Sequence, residues 1–398
     1  MKKTAQFLLM LFILSGCNTN TPLNKNNPEI KQSNQETSNV KKAFKVIKVG
    51  KTPHGIWQSN GFIYNSNIGD GTVSVIDTNS DSIVKTIPFE DGKPGYIKSF
   101  HDGKNVLITD TVNGDLLVID SMKEHKILQK IFVGKSPDKI KISDDDKTVF
   151  ISLVEEDKII SLKFDSDRSK APEKKEIKVG NMLDESEHRS LALQDEWIAT
   201  PNIADNDVSL INLNTGIEKR FKDGNNPSVV NIGSINNRAS FLIVGNSSSN
   251  TVTIFDINSN DKKTLSDIGL SPTDGVTFEK LNRVFITMAG SNEVSVIDYD
   301  KKTLLTKIPV GKRPVHIYIV TNDSHHGLTI KHDDGVSDET TLWVGNDSGD
   351  SVTLIDPVTM KVKETISVGK GHHKMAFTNN KAYISNITDN SISVISIN

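Results

Sequence analysis

The sequence predicts an all-β protein made of repeated four-stranded units, and three observations lead to this prediction. Residues 72–88, T-V-S-V-I-D-T-N-S-D-S-I-V-K-T-I-P, hold two β-branched runs separated by a turn rich in Asp, Asn and Ser. This phrase recurs about every 40–48 residues as far as the C-terminus, with one longer gap between the sixth and seventh repeats. Each repeat carries apolar runs of strand length. Repeats of this length that contain only strands are typical of the blades of a β-propeller.

The number of blades follows from the first strand of the recurring phrase. This strand is found at residues 73–77, 116–120, 160–164, 208–212, 252–256, 294–298, 352–356 and 392–396. The count predicts eight blades. Seven blades remain the alternative, because residues 169–176 interrupt the third repeat between its last two strands.

The two ends of the repeat region predict how the ring closes. Residues 44–50, F-K-V-I-K-V-G, match the fourth strand of a blade without the three strands that precede it. The last repeat, residues 375–397, supplies three strands and then stops. The N-terminal strand is therefore expected to complete the last blade, which would leave few exposed sheet edges.

The N-terminus carries the features of a bacterial lipoprotein signal. Lys2 and Lys3 precede an apolar run, residues 5–14, that is too short to span a bilayer but suits a signal peptide. The run ends in L-S-G-C, which resembles a lipobox, so Cys17 is expected to become the lipidated, palmitate-bearing first residue. Cys17 is the only cysteine in the chain, so no disulfide is expected within it.

The chain is thereby divided into three parts. Residues 1–16 are expected to form the signal peptide, residues 17–43 the lipidated cysteine and a disordered tether, and residues 44–398 the propeller. Residues 18–40 have almost no apolar side chains to bury. The expected location is the extracytoplasmic face of the cell membrane, with the lipid as anchor.

Composition and motifs favour a binding role. The net charge of −3 predicts no nucleic-acid partner. The sequence has no G-x-S-x-G, H-E-x-x-H or P-loop motif, and its one cysteine is assigned to the lipid. We therefore expect a monomer that binds a protein or a cell-envelope ligand and does not catalyse a reaction.

The repeat itself resembles a known family. The sequence V-x-V-I-D followed by I-P-V-G-K-x-P is similar to the YVTN family of β-propeller repeats. Tyr64-Asn65-Ser66-Asn67, Val344-Gly345-Asn346-Asp347 and Tyr383-Ile384-Ser385-Asn386 stand where that family has Y-V-T-N. The resemblance covers residues 44–398 and implies the fold. Because members of the family do unrelated jobs, function has to be argued from the site.

Candidate site residues lie in the links between blades, which share one face around the mouth of the central channel. These candidates are His54, Asp138, Arg189, Asp274, His316, His372 and His373. Because the last blade adjoins the first, His54 is expected close to His373, with His316 one blade away. His54, His316 and His373 would suit Zn²⁺ or another divalent metal. The alternative is a solvated polar mouth that binds nothing in particular.

A second histidine group lies in a long insertion of the seventh blade. Residues 322–339 separate its first two strands and contain His325, His326 and His332. These side chains are also metal ligands by type. As a loop between the first two strands of a blade, the insertion is expected on the face opposite the channel mouth. A mobile surface insertion is the alternative interpretation.

Three functions follow in order of preference. The first is a membrane-anchored, non-catalytic binding propeller. The second is a metal- or cofactor-binding propeller, because some bacterial propellers of similar architecture deliver zinc to transporters or bind tetrapyrroles through an axial histidine. The third is a lactonase or lyase, as in some seven-bladed relatives that use His and Glu. It ranks last because the links that align best contain no Glu.

Overall fold

The computed structural model describes residues 41–181, 190–323, 327–329 and 340–397. Residues 40–398 form one compact unit. Within the described residues every element is a β-strand except two 3₁₀ turns, Glu279–Leu281 and Asp347–Gly349. None of the described residues belongs to a helix that is long and apolar enough to cross a membrane.

The strands form eight antiparallel blades, which we number in chain order and whose strands we call A to D from the inside outward. Blade 1 is Pro53–Ser59, Phe62–Asn67, Thr72–Asp77 and Ser82–Pro88; blade 2 is Pro94–Ser99, Asn105–Asp110, Asp115–Asp120 and Ile127–Phe132; blade 3 is Pro137–Ile142, Thr148–Leu153, Lys158–Lys163 and Glu173–Lys178; blade 4 is Ala192–Gln194, Trp197–Asn202, Asp207–Asn212 and Glu218–Lys222.

The second half of the ring has the same order. Blade 5 is Pro227–Ile235, Arg238–Asn246, Thr251–Asp256 and Lys262–Leu265; blade 6 is Pro272–Phe278, Arg283–Met288, Glu293–Asp298 and Thr303–Pro309; blade 7 is Pro314–Asp323, Thr341–Asn346, Ser351–Asp356 and Lys361–Ser367; blade 8 is His372–Phe377, Lys381–Asn386, Ser391–Ser396 and the N-terminal strand Lys45–Lys48. The eight-bladed prediction is confirmed.

The N-terminal strand closes the ring as predicted. Lys45–Lys48 pairs antiparallel with Ser391–Ser396, and Ile47 lies opposite Ile392. Two further residues, Lys41–Lys42, add parallel to strand D of blade 7. The sequence placed these two residues in the tether. Backbone pairing of this kind needs no apolar side chain, so composition does not reveal it.

Two irregular repeats keep the blade architecture. In blade 3, strand D begins at Glu173, inside the segment expected to be interrupted, and pairs with strand C over six residues. In blade 7, strand A runs to Asp323 and its end pairs with Gly327–Thr329. The insertion therefore joins strands A and B of blade 7, and residues 324–326 and 330–339 lie outside the described residues.

The core lies between blades. Leu116 and Val118 of blade 2, for example, pack against Ile140 and Ile151 of blade 3. Short β-branched and leucine side chains on both faces of each sheet fill these interfaces. This explains how a chain with 6% aromatic residues builds a large core.

An asparagine that ends strand B fixes the same local structure in five blades. Its Nδ2 donates to side-chain oxygens five and seven residues later, as Asn386 does to Ser391 Oγ at 3.1 Å and Ser393 Oγ at 3.0 Å. The equivalent asparagines are Asn67, Asn202, Asn246 and Asn346. In blade 8 the preceding link passes so close that a Cβ added to Gly369 would lie 2.6 Å from Asn386 Nδ2. The Gly of the link and the Asn at the end of strand B therefore pack directly against each other.

Candidate functional site

The start of strand A fixes which residues of each blade lie at the channel mouth. In six blades this strand begins with a proline paired to the last residue of strand B, namely Pro53, Pro94, Pro137, Pro227, Pro272 and Pro314. His372 takes this position in blade 8, opposite Asn386. Inner strands of neighbouring blades pack on one another. Side chains one to four residues past this start therefore come close to the axis from several blades.

The structure brings three of the predicted histidines together. The ring centroids of His54 in blade 1 and His373 in blade 8 are 4.2 Å apart, and their planes are inclined by 36°. His316 of blade 7 meets His373 edge-on, with a centroid distance of 4.8 Å. Three adjacent blades thus contribute one continuous imidazole group, which we call the histidine stack.

Asp274 of blade 6 extends the histidine stack by one more blade. His316 Nδ1 donates to Asp274 Oδ2 at 3.3 Å, and the backbone N–H of Ile317 donates to the same oxygen at 3.3 Å. Burial lowers the pKa of His316, although the hydrogen bond to Asp274 opposes this shift. The carboxylate therefore orients an imidazole that is neutral near pH 7 and whose Nε2 can accept a hydrogen bond or bind a ligand.

His372 lies apart from the histidine stack. Its side chain is fully buried, and neither ring nitrogen has a hydrogen-bond partner among the described residues. It packs on Gly345 in strand B of blade 7 so closely that an added Cβ there would overlap His372 Nε2. The matching contact in blades 5 and 6 is that of Pro272 on Gly245. His372 therefore fills a proline's place in the blade interface, and burial lowers its pKa to about 3.

Asp138 lies beside a lysine that the sequence analysis did not single out. Lys139 Nζ is 3.8 Å from Asp138 Oδ2 and lies 4.9 Å from the centroid of the Tyr96 ring. Lys374 Nζ, which comes from blade 8, lies 4.4 Å from the same ring. Lys374 is only 6% exposed, and its Nζ has no hydrogen-bond partner in the described part of the chain. Tyr96 is thus flanked by lysine side chains from blades 3 and 8, and burial lowers the pKa of Lys374 well below its usual range.

Two more lysines lie one step deeper on the same strands. Lys98 Nζ lies 3.5 Å from the centroid of the Trp57 ring. Burial, aided by the charge of Lys141, holds the pKa of Lys98 well below its usual range. Burial also lowers the pKa of Lys141 to about 8, although Asp274 opposes the shift. Because Lys141 is in blade 3 and Asp274 in blade 6, these groups act across the axis. We call Lys98, Lys139, Lys141 and Lys374 the channel lysines.

A simple sequence signal marks the channel lysines. Alternate residues of a strand point the same way, so Lys139 and Lys141 occupy equivalent positions on strand A of blade 3. Lys374 directly follows the predicted His373. Metal ligands were predicted in the links, and these lysines lie one to four residues further along the chain.

Several predicted residues cannot be placed. Cys17, Arg189, His325, His326 and His332 lie outside the described residues. In the described ranges, no group of three or more His, Cys, Asp or Glu side chains is arranged to hold a metal ion. The histidine stack presents ring faces and edges to its own members, so a metal would require the rings to turn.

Comparison with known families agrees with the fold. Residues 38–148 match the family model of YNCE-like β-propellers. No curated protein matches the chain significantly. The family match covers the N-terminal strands and blades 1 and 2, together with the start of blade 3.

Solved structures match over most of the chain at low identity. Sqt1 of Saccharomyces cerevisiae has a TM-score of 0.69 and 9% identity, covering 90% of this chain and all of that one. Dihydro-heme d1 dehydrogenase NirN, solved with DHE, has a TM-score of 0.60 and 14% identity, covering 80% and 67%. Virginiamycin B lyase of Staphylococcus aureus has a TM-score of 0.55 and 13% identity, covering 89% and 99%. At these identities the likeness concerns the fold. The chain is a β-propeller repeat protein.

Proposed function

We propose that this protein is an extracytoplasmic lipoprotein of the YVTN type whose propeller binds a ligand or a protein non-catalytically at its channel mouth. The observation that carries the proposal is the convergence of His54, His373, His316 and Asp274 from four successive blades. These side chains lie near the start of strand A, where the sequence differs from one repeat to the next. A recognition site on a rigid ring is the kind of function that propellers support.

The anchor is supported by the N-terminal sequence. A basic start, an apolar run of signal-peptide length and L-S-G-C ending at Cys17 occur together. In cells, globomycin, which blocks lipoprotein signal cleavage, should leave a larger precursor in place of the mature protein. A Cys17→Ser variant should lose lipid labelling. An unchanged size under globomycin would contradict the anchor.

Binding at the mouth is tested in cells by placing a photo-crosslinking amino acid at chosen positions. Lys312 is exposed in the link that leads into blade 7, on the mouth side. Arg238 is exposed at the turn between strands A and B of blade 5, on the opposite face. Crosslinked products from position 312 and none from position 238 would support the proposal. Equal products from both positions would contradict it.

A metal or tetrapyrrole ligand is the second candidate function. The hydrogen bond from His316 Nδ1 to Asp274 favours it, because a carboxylate commonly orients an imidazole for ligation in this way. A tetrapyrrole would need only one imidazole from the histidine stack, so fewer rings would have to turn than for a metal held by three. Metal analysis and visible absorption of the purified protein test this candidate. Equal zinc or copper binding by native protein and by a His54→Ala, His373→Ala variant would remove it.

A further inference from the structure

We propose that the axial space bordered by Lys139, Lys374 and Tyr96 binds a small polyvalent anion carrying carboxylate, phosphate or sulfate oxygens. This inference rests on the proposed ligand-binding function and names the chemical class of the ligand. It assigns a role to the channel lysines. Lys139 and Lys374 are the third residue of strand A in their blades, the position that His316 holds in blade 7.

Lys374 is the strongest evidence. It comes from blade 8 and reaches past blade 1 to the ring of Tyr96 in blade 2, at 4.4 Å from Nζ to the centroid. The third residue of strand A in blade 1 is Gly55, so blade 1 places no side chain in the way. A lysine amine that is 94% buried and has no hydrogen-bond partner in the described chain is costly in free energy, and burial lowers its pKa well below the usual range. Such a group is explained when a ligand supplies the missing acceptor.

Lys139 is the second amine beside Tyr96. Its Nζ lies 4.9 Å from the centroid of the Tyr96 ring, so lysine side chains from blades 3 and 8 flank one aromatic side chain. Asp138 balances one of the two at 3.8 Å. Lys139 and Lys374 repel each other, and an anion between them would turn this repulsion into two attractive contacts.

The other two channel lysines, Lys98 and Lys141, are also partly buried beside aromatic or charged groups. Lys98 lies against Trp57, and Lys141 is two residues beyond Lys139 on the same face of strand A. The carboxylates near the channel lysines are Asp138 and Asp274, and Asp274 also accepts a hydrogen bond from His316. Four lysines therefore face two aspartates. Burial lowers the pKa of Lys98, Lys141 and Lys374, and a bound anion would favour the protonated form of these amines and pair with them.

The geometry also limits the size of the ligand. Lys374, Tyr96 and Lys139 approach from the A strands of blades 8, 2 and 3, which suits a compact ion held on several sides. Citrate, inorganic phosphate and sulfate represent the three oxygen chemistries. Their relative affinities would identify which group the site prefers.

Isothermal titration of the purified full-length protein in detergent, with each of these three probes at low ionic strength, tests the proposal. At least one probe should bind the native protein, and Lys374→Met and Lys139→Met should each weaken that binding by about tenfold or more, as loss of a charge-assisted contact implies. Lys263→Met removes an exposed lysine from strand D of blade 5 and should change nothing. Circular dichroism checks folding, and if one variant fails to fold, the other makes the same comparison.

No binding of any probe at millimolar concentration, or equal affinity in native protein and in both channel variants, would overturn the proposal. This outcome is distinct from failure of the proposed function. Crosslinks from position 312 with no anion binding would retain a binding propeller and remove only the anionic ligand. Anion binding with no crosslinks from the mouth would favour a small-molecule ligand over a protein.

Discussion

Strand A and strand B begin and end side by side at the channel mouth, yet the two follow opposite rules. The asparagine at the end of strand B makes the same pair of hydrogen bonds in blades 1, 4, 5, 7 and 8. The third residue of strand A differs from blade to blade. It is Asp274 in blade 6, His316 in blade 7 and Lys374 in blade 8. Residues that recur from blade to blade stabilise the ring, and residues that differ between blades form the candidate site.

The difference teaches where to look for function in a repeat protein. A packing unit such as Gly369 with Asn386 recurs because each link must pass over the end of the next strand B. Side chains near the axis contact different partners in every blade, so packing does not require the same residue type at this position in each repeat. The following predictions test this division, from the largest expected effect to the smallest.

Gly345→Ala should be the most damaging change to the scaffold. The added Cβ would overlap His372 Nε2 in a fully buried interface, so we expect a loss of about 3 kcal/mol or more in the free energy of unfolding. Urea unfolding measures the loss. A His372→Ala background should restore most of it, because the overlapping ring is gone. Strictly additive losses in the double variant would show that the overlap is not the cause.

Asn386→Ala should destabilise blade 8. It removes two hydrogen bonds in a fully buried position and leaves a small cavity, so we expect a loss of about 2–3 kcal/mol in the free energy of unfolding. Asn258→Ala, in an exposed turn, is the matched control and should be nearly neutral. The same urea experiment applies. Similar small losses in both variants would mean that the repeated asparagine does not hold the scaffold.

The channel lysines should make stability rise with pH in mildly alkaline solution. Lys141 has a pKa of about 8 in the folded protein and an ordinary value of 10.5, so the unfolded chain binds more protons between these values. The free energy of unfolding should therefore increase by about 1 kcal/mol from pH 8 to pH 9 on account of Lys141. This gain is complete above the unfolded pKa and is lost as the pH falls through 8.

The measurement for Lys141 compares unfolding midpoints at both pH values. Lys141→Met removes one titrating group and should reduce the rise between pH 8 and pH 9 by about 1 kcal/mol, while Lys98 and Lys374 continue to contribute. Lys263→Met, which changes an exposed lysine, should leave the slope intact. An unchanged slope in Lys141→Met would argue against a buried amine at this position.

Asp256→Ala should have the smallest effect of the four. Asp256 Oδ1 accepts hydrogen bonds from the backbone N–H groups of Asn258 and Ser259, both at 2.8 Å, in an exposed hairpin turn. Water can replace these bonds, so we expect a loss of no more than about 1 kcal/mol in the free energy of unfolding. Thermal unfolding beside Asp261→Ala checks this. A loss as large as that of Asn386→Ala would contradict the ranking.

The fold was predictable because its determinants are local and repeated. The β-branched runs and Asp-Asn turns of residues 72–88 specify a hairpin, and their recurrence specifies the blades. Closure by Lys45–Lys48 followed from counting strands at both ends. The parallel pairing of Lys41–Lys42 did not, because backbone pairing leaves no side-chain pattern.

The site was predictable only in part. Adjacency of the first and last blades placed His54 near His373, and the link motif marked both residues. The same motif placed His372 at the mouth, whereas the structure buries it against Gly345, because its position in the strand is that of the proline. Lys374 reaches Tyr96 across an intervening blade, and a contact between strands so far apart in sequence leaves no mark in either segment.

The most direct test of the division between scaffold and site is a crystal structure of the protein soaked with selenate, which carries the charge and shape of sulfate and scatters anomalously. The account predicts an anomalous peak on the axis within hydrogen-bonding distance of Lys374 Nζ and Lys139 Nζ, and no such peak in crystals of Lys374→Met. Peaks confined to lysines on the outer D strands, with the space beside Tyr96 empty, would contradict it.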